Sequence, residues 1–496
     1  MKNSSRDITL RWLLFGAYVV LTVWLTANHE LWRDEADSWL LARDGSLLDI
    51  FKIMPDAGHP PLWYLLLKPF AAAGLSFRWM QGLNLLAMCL ATGLLLFKSG
   101  LDLIFIVPVM LSLVFSYEFP VVARNYSLGI LGLFLYSAIY RSRHRNNAVR
   151  LILPHTLMCF STVHFLGFAA VLFLDRGVTA FSENKRWVNF FRQWLKSERI
   201  FLLLFALSVA ILWPSGKGQF SADFFEHFIP MNFRDSIAQS ILPFESASSL
   251  TFVLAVSVYA LILASNREFD RAVGLFLSGA GIIGAIFVFK YYSGSLRHSG
   301  LFLVWLCACM WMTAPTRASA ELPLFHRRRL APIAMWMVCA WNLPVVASVW
   351  ELETTGNFSD AHEVAAVLNS APASGRQVVC WIPRNCAAIL PYLSADRKFW
   401  YPVINREGTF DFWDKKSNAV DEMAINHSIS IDKVLRLLPT HFKNWGKFDG
   451  PLFVSNWRVL EPEKFGLKLL APAKKSAWRI LDESFWIYGP QEMETP

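Results

Sequence analysis

The chain has 496 residues, 54% apolar and 15% aromatic with only 17% charged, and its mean hydropathy is positive, which excludes a large soluble enzyme and indicates an integral membrane protein. The formal net charge of +9 arises in residues 1–350, with 30 Lys and Arg against 20 Asp and Glu, while residues 351–496 hold 17 against 18. That excess reads as orientation charge and attraction to anionic lipid, and gives no ground for nucleic acid as a partner.

The first apolar run, Trp12 to Ala27, is long, lacks a small-residue cleavage site and precedes the densest motif of the chain, so it is expected to stay as a span. It leads to an acidic loop at residues 29–60, where Glu30, Asp34, Glu35, Asp37, Asp44, Asp49 and Asp56 outnumber Arg33, Arg43 and Lys52. This loop contains Trp32-Arg33-Asp34-Glu35-Ala36-Asp37 and Gly58-His59-Pro60-Pro61-Leu62-Trp63-Tyr64. The two prolines stop one segment and start the next in a fixed direction.

Further spans are expected at 78–97, 101–116, 120–140, 148–162, 163–175, 199–213, 249–265, 272–291, 297–314 and 330–350, weighed against the ~20 residues that cross the hydrocarbon. The polar Ser161-Thr162-Val163-His164 centre divides what would otherwise be one long helix. With about eleven spans and the N-terminus inside, the basic groups at Arg6 and Arg11, Arg141 to Arg150, Arg176 to Arg199 and Arg317 to Arg329 share the cytoplasmic face. Loops 29–60 and 214–248 and the tail at 351–496 then lie on the extracytoplasmic face. The tail is expected to be a small α/β domain, with an amphipathic stretch at Asp360 to Leu368 and a strand-like Gln377 to Ile382. Its Cys380 and Cys386 are equally readable as a disulfide or as free thiols, whereas Cys89, Cys159, Cys307, Cys309 and Cys339 sit in apolar runs as small buried residues.

The Asp-Glu-Ala motif after the first span, followed by His-Pro-Pro-Leu, resembles the polyprenyl-phosphate-sugar glycosyltransferases of the GT-C fold, a superfamily that includes protein O-mannosyltransferases and lipid A aminoarabinose transferases. Ala123-Arg124-Asn125-Tyr126-Ser127-Leu128 is similar to that superfamily's Arg-x-Tyr-x-Leu signature, and Val163-His164-Phe165-Leu166-Gly167 to its His-aromatic-x-Gly helix break. Motif support covers residues 10–175. The resemblance implies a polytopic helical membrane enzyme of the cell envelope, in a bacterial inner membrane, moving a sugar with inversion from a polyprenyl-phosphate donor to an extracytoplasmic acceptor.

Such a transfer needs a base for the acceptor hydroxyl and positive charge for the departing phosphate. Asp34 matches the first acidic position of the family motif and is the expected base. Glu35 is the reserve, with stabilisation of a helix N-terminus as its structural alternative. Glu118, in the next outer turn, reads either as a carboxylate that organises acceptor or metal or as a solvated turn residue. Arg124 and Tyr126 stand where a helix re-enters the membrane, a place in which a guanidinium needs a partner, either lipid phosphate or else Glu118 or a helix carbonyl. Arg297 and His298 form a second cationic group, beside Lys290, Tyr291 and Tyr292, which interfacial anchoring also explains. His59 and His164 are open to contact with donor phosphate or a divalent ion. The sequence requires no cofactor and contains neither a His-x-x-x-His nor a regular calcium loop. The competing readings are a multi-span transporter or flippase, whose ionisable groups belong near mid-bilayer, and a lipid-linked ligase.

Overall fold

The computed structural model describes residues 5–142, 147–183, 187–213, 229–243, 248–266, 268–289, 296–314, 327–355, 358–371, 373–381, 383–402, 404–411, 428–429, 450–473 and 483–492. The chain opens with α1 (Ser5–Asn28), whose Trp12, Leu13, Val20, Val23 and Trp24 stay exposed while Tyr18 and Leu25 are buried. An apolar outer face is what a lipid-facing helix needs. Three short helices follow, α2 (Arg33–Asp44), α3 (Leu47–Ala57) and α4 (Leu62–Ala72), before the long α5 (Arg78–Lys98). Arg11 reaches the carbonyls of Leu96 and, at 3.3 Å, Leu101, tying the start of α1 to the end of α5.

Local chemistry sets the boundaries of the short helices. Ser46 and Asp49 cap α3 reciprocally, the hydroxyl accepting from Asp49 N at 3.1 Å and the carboxylate from Ser46 N at 2.9 Å. Gly58 ends α3 at φ 65°, a left-handed conformation that glycine adopts without strain. Lys68 then folds α4 back on α2 by donating to the carbonyls of Gly45 at 2.5 Å and Ala42 at 3.2 Å.

After α5, α6 (Leu103–Leu111) gives way to a π turn at Val114–Glu118, and α7 (Tyr126–Tyr140) begins after an irregular stretch. That stretch is held by Asn84 of α5, which donates to the carbonyls of Phe119 at 2.9 Å and Pro120 at 3.0 Å and accepts from Arg124 N at 3.4 Å. The chain does break near Thr162, so α8 (Ala148–Cys159) and α9 (Val163–Glu183) are separate helices. α7 packs closely on α9 because residue 129 is glycine: a Cβ there would lie 2.2 Å from the Phe165 ring.

The remaining helices are α10 (Trp187–Ile211), α11 (Pro230–Ile241), α12 (Ser249–Ala264), α13 (Phe269–Phe289), α14 (Leu296–Met312) and α15 (Arg327–Thr355). α14 is buried along almost its whole length. Residues 214–248 are not simply a loop, because α11 buries Ser236, Ile237, Ala238, Ser240 and Ile241, and Asn342 of α15 donates to the Ile241 carbonyl at 2.6 Å. The reason lies in its apolar face, which the bundle covers.

Among the described residues, five helices are long and apolar enough to cross a membrane, at Arg6–Asn28, Arg78–Lys98, Val163–Phe181, Phe269–Phe289 and Leu330–Thr355. α4, α7, α8, α12 and α14 are shorter apolar helices.

Beyond Thr355 the chain forms α16 (Ala361–Asn369), a short α17 (Pro383–Cys386) and the strands β1 (Val378–Cys380), β2 (Phe399–Tyr401), β3 (Arg406–Gly408), β4 (Ser428–Ile429), β5 (Leu452–Ser455), β6 (Arg458–Val459), β7 (Leu467–Ala471) and β8 (Trp486–Pro490). The main sheet runs β3-β2-β1-β5-β8-β7, while β4 and β6 pair separately. β1 is parallel to β2 and β5, and the other pairs of this sheet are antiparallel. Cys380 and Cys386 are joined in a disulfide across α17, which resolves the alternative left by the sequence. One hydrophobic core runs from Trp39, Ile53 and Trp63 of the short helices to Leu368, Val378 and Phe399 of the tail. The tail therefore docks on the segment that bears the acidic motif.

Candidate functional site

Asp34 occupies the first turn of α2, and its Oδ2 is 3.1 Å from Arg124 Nη1 and 3.3 Å from Arg297 Nη1. Arg33 Nε stands 3.7 Å from Asp34 Oδ1. Residues from three distant parts of the chain thus place three guanidinium groups around one carboxylate. Glu118 is within electrostatic reach of Arg297 and Arg124, so the cluster gathers buried charges of both signs. Arg297 also lies 3.9 Å over the Trp32 ring, which fixes its plane and leaves its edges for hydrogen bonding.

The starts of α7, α9 and α14 and the break before α4 bring four more expected residues to this place. Tyr126 has ring contacts with His59, His164 and His298 at centroid distances of 6.3, 6.2 and 5.8 Å, and His164 stacks on His298 at 5.1 Å. Arg124 Nη2 is 3.4 Å from His59 Nε2. A guanidinium can only donate, so Nε2 accepts and the His59 proton sits on Nδ1. Burial, and then Arg124, hold the His59 pKa well below its usual value, so the ring is neutral. Its Nδ1, the Tyr126 hydroxyl and the Trp32 Nε1 are buried without a hydrogen-bond partner among the described residues. Buried polar groups are nearly always paired, so these three donors are placed to meet acceptor oxygens, of water or of a ligand.

Glu118 is buried at the end of the π turn, within electrostatic reach of Arg297. Glu35 is committed elsewhere: Oε1 accepts from Ala123 N at 2.6 Å, and Oε2 accepts from Trp32 N at 3.0 Å and meets His29 Nε2 at 2.9 Å. It therefore ties the Asp34 turn to the Arg124 stretch, a placement closer to its structural alternative than to a base. Lys290, Tyr291 and Tyr292 lie outside the described residues. Among the described residues, no group of three or more His, Cys, Asp or Glu side chains is placed to hold a metal ion.

Sequence reasoning overlooked the frame behind this cluster. His29 Nδ1 is 3.0 Å from Glu353 Oε1, to which Tyr117 also donates. Burial pushes the His29 pKa down, but Glu353 and Glu35 outweigh it and hold the ring well above its usual value, as an imidazolium between two carboxylates. Asn84 is a second overlooked member. The only signal for either was a polar side chain at the end of, or within, an apolar run, which must have a partner.

The tail supplies the rest. Arg33 N donates to Glu483 Oε1 at 2.8 Å and Arg33 Nη1 to Asn385 Oδ1 at 2.5 Å. Leu31 N donates to the Tyr392 hydroxyl at 3.0 Å, Ser359 N to Glu30 at 3.0 Å and Asp411 N to Asp37 Oδ1 at 2.7 Å. Burial, and then the Asp411 carboxylate, push the Asp37 pKa up to about 7.

No protein-family model matches this chain, and no curated protein or solved structure matches it significantly.

Proposed function

We propose that this protein is a membrane glycosyltransferase of the GT-C type, transferring a sugar from a polyprenyl-phosphate donor to an acceptor at the motif end of the helices. The observation that carries this reading is the sharing of Asp34 by Arg124 and Arg297 beside buried donors without partners. A donor phosphate supplies the acceptor oxygens that the Tyr126 hydroxyl and His59 Nδ1 lack, and its other oxygens accept from the Arg124 and Arg297 guanidinium groups. Drawing the two arginines toward phosphate also relieves Asp34 of their charge. The carboxylate is then able to take the acceptor hydroxyl's proton as that oxygen attacks the anomeric carbon and the lipid phosphate leaves from the opposite face. Glu118 is the second candidate base. The ring wall of Tyr126, His164 and His298 suits the apolar faces of a sugar.

The same reading puts the site and the tail on the extracytoplasmic face of a bacterial inner membrane, with the shorter apolar helices completing about eleven spans. A transporter or flippase is disfavoured because the ionisable groups gather where helices begin, as in the first turns of α2, α7, α9 and α14. The decisive experiment incubates purified protein in lipid nanodiscs with a panel of polyprenyl-phosphate sugars and envelope acceptors, reading the modified acceptor by mass. Donor hydrolysis or transfer that vanishes in Asp34→Asn supports the proposal; movement of lipid across the bilayer with no sugar released overturns it.

A further inference from the structure

We infer that Glu483 is a positioning residue that caps α2 from the tail domain and thereby aims Asp34. The first turn of a helix leaves backbone N–H groups without intrahelical acceptors, and a side-chain oxygen normally fills the gap from the residue just before the helix. Here that residue is Trp32, which has no oxygen to offer. Glu35 serves the Trp32 N–H, but the Arg33 N–H is met by Glu483 Oε1 at 2.8 Å, from 450 residues further along the chain. Asn385 holds the same residue by its side chain, accepting from Arg33 Nη1 at 2.5 Å. Backbone and side chain of the residue next to Asp34 are thus both gripped by the tail.

The grip is buried at its far end. Glu483 and Asn385 are both buried; Glu483 leads into β8, and its carbonyl accepts from Asp360 N at 3.2 Å. Asn385 lies in α17, closed by the Cys380–Cys386 disulfide. Losing the cap frees the turn that points Asp34 at Arg124 and Arg297. In a site assembled from separate elements, a displacement of about 1 Å costs on the order of 100-fold in rate.

The consequence for turnover rests on the reading of Asp34 as the base, so the test has a structural and a catalytic arm. Full-length Glu483→Ala, Glu483→Gln and Glu483→Asp are compared with wild type by deuterium exchange over residues 31–40 and by transfer kinetics. Glu483→Ala is expected to speed exchange in 31–40 while leaving 452–455 in β5 as protected as before, and to lower kcat with little change in the donor KM. Glu483→Gln keeps the acceptor oxygen and is expected to restore protection and most of the lost kcat. Unchanged exchange in 31–40 overturns the cap, and faster exchange with undiminished kcat overturns its bearing on Asp34. If Glu483→Ala also exposes 452–455, Glu483→Asp, which keeps a carboxylate in place but draws it back from Arg33 N, decides by the same two readouts. Were the wild-type protein to transfer no sugar from any donor, the glycosyltransferase reading would fail while the exchange arm still judged the cap.

Discussion

His29 Nδ1 lies 3.0 Å from Glu353 Oε1, so the end of α15 is fastened to the residue that leaves α1 for the acidic motif. Removing one member of a buried charged set strands the others and costs about 3–5 kcal/mol. His29→Ala and Glu353→Ala should therefore destabilise strongly. Because the folded His29 is held well above its usual pKa, its contribution is complete below the unfolded value near 6.5 and is lost as pH rises through the folded one. Thermal unfolding in detergent across alkaline pH checks this: wild type should weaken with rising pH, and His29→Ala should show a flatter dependence.

Asp34→Asn preserves size and most hydrogen bonding while removing basicity. Turnover should fall on the order of 100-fold or more, with insertion and donor binding retained. Glu35→Gln should behave differently, since its oxygens hold Ala123 N and Trp32 N, and its losses should track stability. Equal turnover in Asp34→Asn and wild type would move the base to Glu118.

Arg124→Ala and Arg297→Ala should each weaken donor use at least tenfold, and Arg297→Lys should rescue poorly, because an ammonium provides neither the planar stack on Trp32 nor paired donors. Donor affinity by titration in nanodiscs is the measurement, and wild-type affinity in both alanine variants would exclude them from the phosphate site.

Asp37, raised to about 7 by burial and then Asp411, binds its proton more tightly folded than unfolded. Its stabilising effect is thus full below pH 3.8 and lost as pH climbs to about 7. Asp37→Asn keeps the acceptor for Asp411 N but removes the charge, so it should raise stability at pH 8 and flatten the profile between these limits.

A cytoplasm-active reporter fused after Lys185 should be active and one fused after Asp360 inactive. The reverse result would put the proposed site on the cytoplasmic face.

Much of this arrangement was legible in the sequence because membrane burial makes polar residues conspicuous. Asp34, His59, Arg124, Tyr126, His164, Arg297 and His298 stood out against apolar surroundings or at their margins, and the structure gathers all seven. The break at Thr162 was readable for the same reason. What stayed hidden depends on partners remote in sequence: Glu353 is one acidic residue at the end of a helix until His29 is seen beside it, and Glu483 is an ordinary tail carboxylate until Arg33 N meets it. Glu35 was ambiguous because a motif specifies neighbours along the chain, whereas its role follows from the backbone at Ala123. The buried face of α11 escaped notice because its run of twelve residues is too short and too polar to read as a span.

The π turn at Val114–Glu118 amounts to an α-helix holding one residue too many. Deleting a single residue there would close it into an ordinary α turn, changing the direction of the side chains within it while the segments on either side keep theirs. Tyr117 would swing off Glu353, and Glu118 would leave the side of Arg297. The length of this turn, and not only the identity of Tyr117 and Glu118, thus sets where both side chains sit.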